Sequence, residues 1–279
     1  MKNMNMKKIF LSAALALAVA SAAVAAPLDA FKGMSGTMDI AGGTAHIPVM
    51  KEAAKRIMGV NPEIRITVAG GGSGVGVKQV GEGLVAIGNT GRPLKEKEIA
   101  QYGLKTFPFA IDGVAVVVNP ANPVGALTKE QVAAIYAGTV KDWSEVGGTA
   151  GAINVFGRED GSGTREVFTD KVINKGELAP GVNVVNSNGA MKTAVGGDER
   201  AIGYVGIGHI DASVKAPTLD GMTATQENAA DGSYTVVRDL FMNTKGEPEG
   251  LTKAFIDYIY TDEGAEIIRK SGYIPLPRK

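Results

Sequence analysis

The chain has 279 residues, 29 basic against 29 acidic side chains, 44% hydrophobic residues and no cysteine. That length can bury a core without staples, and the missing cysteine excludes a disulfide framework, thiol chemistry and a lipid attachment point. The balanced charge offers no field to hold nucleic acid or an anionic membrane, so an anionic ligand must be held by local donors.

Lys2, Lys7 and Lys8 precede an apolar stretch from Ile9 to Val24, which ends at the small-x-small pattern Ala23-Val24-Ala25. This reads as a cleaved signal peptide over residues 1–25, its Leu-rich part being shorter than the ~20 apolar residues of a spanning helix. Cleavage removes three lysines and no acid, leaving 26 basic against 29 acidic residues. Without a cysteine to carry lipid, the expected location is a bacterial periplasm.

The remainder alternates strand and helix. Thr37 to Ala41 is a strand, and Thr44 to Met58 carries Ile47, Met50, Ala53, Ala54 and Ile57 at helical spacing, with Pro48 in the first turn. Ile64 to Val68 alternates as a strand, Val77 to Val80 is a short helix, and Val85 to Ile87 is a strand. Val114 to Val118 is an apolar run expected of a buried strand. Thr128 and Gln131 form a capping box for a helix that Gly138 ends. Ile153 to Phe156 and Ala201 to Val205 are strands; Thr164 to Ile173, Phe255 to Tyr260 and Gly264 to Ile268 are helical. The alternation predicts α/β layers with a mainly parallel sheet. The candidate crossings between two lobes are Phe109 to Gly113 and Val236 to Phe241.

Three strand-to-helix turns share one composition: Ala41-Gly42-Gly43-Thr44-Ala45, Gly70-Gly71-Gly72-Ser73-Gly74, and Gly157-Arg158-Glu159-Asp160-Gly161-Ser162-Gly163-Thr164. A helix start leaves amide donors free at its positive dipole end, glycine admits close approach, and a hydroxyl adds a donor. Thr44, Ser73 and Ser162 also suit plain N-caps. Arg158 lies at a strand end and can grip two anion oxygens, with Asp160 placed to hold it; a surface arginine paired with Glu159 or Asp160 is the alternative. For Arg92 and Arg165 a structural role stands beside a ligand role.

These stretches resemble the periplasmic phosphate-binding protein of ABC-type phosphate uptake, its shorter branch in particular. The similarity is carried by the Gly70–Gly74 run leading to Lys78-Gln79, by Arg158 to Arg165 and by Ala201 to Val205. Asp112-Gly113, Trp143 with Gly147-Gly148, and Gly272-Tyr273-Ile274-Pro275 also match. The resemblance implies a two-lobed α/β venus-flytrap fold of type II with a ligand cleft between lobes. Lobe 1 would hold residues 26–111 plus 239–279, and lobe 2 residues 112–238. By position it implies Thr44, Ala45, Ser73, Arg158, Ser162, Gly163 and Thr164 as ligand residues, with Thr90, Gly91, Arg92 and Arg165 as further candidates. The implied partners are inorganic phosphate and an ABC permease pair with its ATPase; the chain is expected to act as a monomer, without cofactor or metal.

Three departures stand out. The long branch places an aspartate where this chain has Gly91, which leaves the basis of phosphate-over-sulfate selection open. The family's frequent serine before Thr44 is Gly43 here, and His46 is unusual in that helix start; a buried helix residue and a pH-dependent contact are its two readings. Sulfate, molybdate, tungstate and arsenate stay as rival ligands, and sensing without transport as a rival role. Catalysis is not expected: the glycine run lacks the lysine register of a nucleotide loop, no G-x-S-x-G elbow occurs, and only His46 and His209 could serve a triad.

Overall fold

The computed structural model describes residues 27–278, so the expected signal peptide lies outside the described residues. The elements in chain order are β1 (Gly36–Gly42), α1 (Ile47–Val60), β2 (Ile64–Gly71), α2 (Gly72–Gly81), β3 (Ile87–Thr90), α3 (Glu96–Tyr102) and β4 (Leu104–Val118). Then come β5 (Ala126–Leu127), α4 (Lys129–Tyr136), β6 (Asn154–Arg158), α5 (Gly163–Lys171), β7 (Asn183–Val185), α6 (Asn188–Gly196) and β8 (Ala201–Gly206). The chain closes with β9 (Thr218–Leu219), α7 (Gln226–Ala230), β10 (Val237–Lys245), α8 (Gly250–Ile259), α9 (Asp262–Lys270) and β11 (Ile274–Pro275).

Local chemistry explains most boundaries. In α1 the residues Val49, Met50, Ala53, Ala54 and Ile57 are buried, and Pro48 sits in the first turn, where no intrahelical partner is lost. The Thr128 hydroxyl accepts from the Gln131 amide, and the Gln131 side chain accepts from the Thr128 amide, closing the capping box of α4. Gly71 and Gly72 take φ of 123° and 81°, so α2 starts directly from the glycine turn, five residues before Val77. Strand β3 begins two residues later than Val85. Helices α3 and α6 and strand β7 have no counterpart in the sequence reading: α3 buries no residue, and β7 is three residues long, so neither has a readable periodicity.

The sheet is mixed, which corrects the mainly parallel expectation. Its order is β2-β1-β3-β10-β4-β8-β6-β7. The flanks pair parallel, as the βαβ alternation predicts, but β10 runs antiparallel to both β3 and β4, and β4 antiparallel to β8. Of these strands, β4 and β10 each contribute to two hydrophobic cores. At ~3.3 Å per residue the 15 residues of β4 extend about 50 Å, enough to serve two cores.

One core gathers Phe31, Ile40, Met50, Ile57, Phe109, Leu240, Phe255 and Ile268. The other gathers Val114, Val116, Trp143, Phe168, Tyr204 and Val236, with a smaller cluster around Val117, Met191 and Val195 on the opposite face of the sheet. The alternation along Val114 to Val118 feeds both faces, as the apolar run requires. Phe109 and Leu240 belong to the first core, Val114 and Val236 to the second, so both strands change core across a few residues. There, Asp112 and Arg238 are register partners, and Arg238 donates to Asp112 Oδ2 from Nε at 3.0 Å and Nη2 at 2.7 Å. Both are buried.

Asp112→Ala leaves the Arg238 charge buried without its partner, so urea denaturation is expected to show a loss of roughly 3–5 kcal/mol. Asp112→Val combined with Arg238→Met should recover most of it, since apolar replacement of a whole buried pair is close to neutral. A single variant as stable as wild type would show that the pair contributes nothing to the crossing.

Candidate functional site

The three glycine-rich turns meet. They line one small cavity of about 10 Å3, formed by Gly43, Thr44, Ala45 and His46 from the first turn, Gly72 and Ser73 from the second, and Arg158, Ser162, Gly163 and Thr164 from the third. Gly91, just after β3, and Arg238 of β10 complete the lining. All seven residues singled out first from the sequence are therefore brought together, with contributions from both sides of the crossing strands.

Only one of the three hydroxyls is a helix cap. Ser162 Oγ accepts from the Arg165 amide at 3.2 Å as the N-cap of α5. Ser73 Oγ accepts from the Gly91 amide at 3.0 Å, which ties the second turn to the end of β3. Thr44 Oγ1 accepts from the Asn188 backbone and side-chain amides at 3.2 and 2.9 Å, a contact that spans the two cores. An oxygen that already accepts keeps its own hydrogen to donate. Beside Thr44, the buried Tyr273 hydroxyl donates to the Ala45 carbonyl at 2.7 Å and fixes that turn from behind.

Arg158 is 1% exposed, and its position follows from the second core. Its amide donates to the Tyr204 hydroxyl at 3.0 Å, and the Tyr204 ring stacks on Phe168 at 4.0 Å between centroids. Its Nε donates to Glu159 and to the Val185 carbonyl, and Nη2 donates to Glu159 at 2.9 Å. Nη1 is buried and has no partner. Glu159, not Asp160, holds Arg158. The Asp160 side chain is turned to solvent and pairs with Arg165 at 2.6 Å, whose Nη1 also donates to the Arg158 carbonyl.

The further candidates divide. Gly91 lines the cavity; Thr90, Arg92 and Arg165 do not. Thr90 Oγ1 donates to the Arg92 carbonyl and accepts from Asn243. Arg92 is committed to Glu98 at 2.7 Å and to Glu166 of α5 at 3.0 Å. Arg165 braces the third turn. In each case nearby carboxylates or carbonyls claim the group before the cavity can, a competition that spacing along the chain does not reveal. Arg238 was missed as a lining residue. Part of its signal was available: the candidate crossing stretches carry opposite charges, Asp112 in one and Arg238 beside Asp239 in the other, but which of them pair is set by strand register. A Cβ on Gly91 would stand 2.7 Å from Arg238 Nη1, so any side chain there would face that guanidinium.

The two sides touch through glycine. The Gly74 amide donates to the Gly161 carbonyl at 3.0 Å. A Cβ on Gly72 would lie 2.9 Å from Glu159 Oε1, and one on Gly163 would lie 2.4 Å from Ser73 Oγ and 3.2 Å from the Gly91 carbonyl carbon. Each arginine at the cavity is paired with a carboxylate, Glu159 or Asp112, so the site carries little net charge and presents oriented donors in its place. No group of three or more His, Cys, Asp or Glu that could hold a metal ion occurs among the described residues.

A family model described as a PBP superfamily domain matches residues 32–263. The phosphate-binding protein PstS of Bacillus subtilis is 36% identical over 245 residues, covering 87% of this chain and 81% of that protein. A structure from Clostridium perfringens, described as a phosphate ABC transporter substrate-binding protein with bound phosphate, is 37% identical with a TM-score of 0.81, over 86% of this chain and 100% of that one. An ABC-type phosphate transport receptor from Vibrio cholerae is 36% identical with a TM-score of 0.68, over 86% of this chain and 100% of that one.

Two histidines stand in or beside the site. Burial, reinforced by Arg238, holds the His46 pKa down to about 3. Burial, then Lys192, holds His209 down to about 4. Both rings regain their ordinary affinity for protons on unfolding, so the unfolded state binds more protons below pH 6.5 and stability falls as pH drops. The unfolding free energy, measured by urea titration from about pH 7 to about pH 4.5, is expected to fall by up to roughly 1.4 kcal/mol per pH unit for each ring. His209→Gln should remove about half of that slope. A flat profile in the wild-type protein would show that these rings are protonated in the native state.

Proposed function

The chain belongs to the PBP superfamily, among the relatives of the PstS phosphate-binding proteins, and on that footing we propose that it captures inorganic phosphate between its two lobes and delivers it to an ABC importer. The observation that carries the reading is the buried, unpartnered Nη1 of Arg158, facing a cavity built from three glycine-rich turns whose hydroxyls have hydrogens left to give. A tetrahedral anion needs donors from several directions, and this cavity supplies them from both sides. Thr44, Ala45, Ser73, Arg158, Ser162, Gly163 and Thr164 are the proposed ligand residues, joined by Gly91 and Arg238.

Hydrogen bonds to a charged group contribute roughly 1.5–3 kcal/mol each. Five of them gross on the order of 8–15 kcal/mol, against about 8 kcal/mol net for micromolar binding. No metal or cofactor is needed, and no bond of the ligand is broken. The proposed lobes are residues 26–111 plus 239–279 and residues 112–238, hinged where β4 and β10 carry Asp112 and Arg238. The contacts of Gly74 with Gly161, Thr44 with Asn188 and Arg92 with Glu166 belong to the closed form, and opening breaks them. The protein is proposed to be exported by the segment 1–25, to reside in the periplasm as a monomer, and to dock on a permease pair with its ATPase.

Calorimetry on ligand-free protein should show phosphate binding more tightly than sulfate, molybdate or tungstate; equal binding of sulfate would replace the phosphate reading with a general oxyanion site. Arg158→Ala should weaken phosphate by at least roughly a hundredfold, because the strongest charge-assisted donor and its placement are both lost. An affinity near wild type would remove Arg158 from the site. Gly163→Ala should weaken phosphate at least roughly tenfold by obstructing the approach of Ser73 and Gly91. Its ligand-free melting temperature should stay within about 3 °C, since the clash exists only in the closed form. Unchanged affinity would show that binding does not require this closure.

A further inference from the structure

We propose that the His46 imidazole is the proton acceptor by which this site prefers a protonated tetrahedral oxyanion, hydrogen phosphate above all, to a fully ionised one such as sulfate; this rests on the phosphate reading above. His46 is wholly buried, lines the cavity, and has no hydrogen-bond partner at either Nδ1 or Nε2. The carbonyls of Gly43, Thr90 and Phe241 lie near the ring but outside hydrogen-bonding geometry. A buried polar ring left wholly unpaired is costly, and a ligand in the cavity relieves that cost.

The ring occupies a place made for it. A Cβ on Gly43 would stand 2.6 Å from Nδ1 and 2.8 Å from Cε1, so a larger residue there displaces the imidazole. Phe109 backs the ring at 5.6 Å between centroids. The charged and titratable groups around it are Arg238 of β10, its partner Asp112 of β4, Arg158 at the end of β6, Tyr273 behind Ala45, and His209 beside Thr44. Burial and Arg238 keep the ring neutral, with a pKa near 3. A neutral imidazole carries one N–H and one free lone pair.

That lone pair distinguishes His46 from the other lining side chains. Arg158 and Arg238 only donate. Thr44 Oγ1 already accepts two hydrogen bonds, both from Asn188, and Ser73 and Ser162 accept one each, from Gly91 and Arg165, so each serine keeps one lone pair beside the hydrogen it can donate, whereas the acceptor nitrogen of His46 carries no hydrogen of its own. Thr164 is the hydroxyl without a committed bond and is the strongest competing acceptor, ahead of the second lone pairs of Ser73 and Ser162. Hydrogen phosphate and hydrogen arsenate carry a proton to give at neutral pH; sulfate does not, and its oxygen would face the ring lone pair.

Phosphate, arsenate and sulfate affinities are measured by calorimetry at about pH 7.5 for wild type, His46→Met, His46→Gln and Thr164→Val. His46→Met should lower the phosphate-to-sulfate ratio at least roughly tenfold, with arsenate following phosphate, while His46→Gln, whose amide oxygen still accepts, should keep it within about threefold. Thr164→Val should leave the ratio in place. A wild-type ratio in His46→Met, or a collapse in Thr164→Val instead, overturns the proposal. Wild type binding sulfate as well as phosphate overturns the phosphate reading and this inference together, whereas a phosphate preference that survives His46→Met overturns only the role of His46. Nitrogen NMR of the wild-type ring, assigned with His209→Gln, gives a readout free of folding effects. The unprotonated ring nitrogen should shift on adding phosphate or arsenate but not sulfate, and an unmoved signal overturns the proposal.

Discussion

A guanidinium held away from water must have its hydrogens satisfied, and much of this structure is arranged around one that is not. The second core builds the placement of Arg158: Phe168 stacks on Tyr204, Tyr204 accepts from the Arg158 amide, and Glu159 and the Val185 carbonyl take the Nε and Nη2 hydrogens. Nη1 is left buried and unpartnered at the cavity. The apolar packing of one lobe is thereby converted into a directed demand for an anionic acceptor.

The cavity exists because backbone can approach backbone. Gly72 and Gly74 meet Gly161, and Gly163 meets Ser73 and Gly91, at separations that leave no room for a Cβ at Gly72 or Gly163. Glycine at Gly72 and Gly163 is thus a packing requirement of this structure as well as a source of free amides. The same economy of volume appears at Gly43 and Gly91, where the missing side chains make room for His46 and for the Arg238 guanidinium.

Charge is handled locally. Glu159 and Asp112 each neutralise one arginine at the cavity, so the buried site does not carry a net charge of several units. Burial at the Asp112–Arg238 pair raises the Asp112 pKa, with Arg238 opposing that rise. The pair also lies where β4 and β10 pass from one core to the other. Cavity lining and core crossing therefore share one residue, Arg238.

Much of this was legible in the chain. Helical spacing in α1, the capping box at Thr128 and the apolar run in β4 follow from side-chain period and cap chemistry, which act over a few residues. The three turns were legible for the same reason, since glycine, hydroxyl and helix start occur within one short window each. What the sequence determined was the supply of donors and the local elements that present them. Only the tertiary structure decided which donors face the cavity. It turned Thr90, Arg92 and Arg165 to Asn243, Glu98, Glu166 and Asp160, and brought in Arg238 and His46. Those outcomes depend on competition among partners distant in sequence, and on antiparallel central strands that local periodicity does not encode.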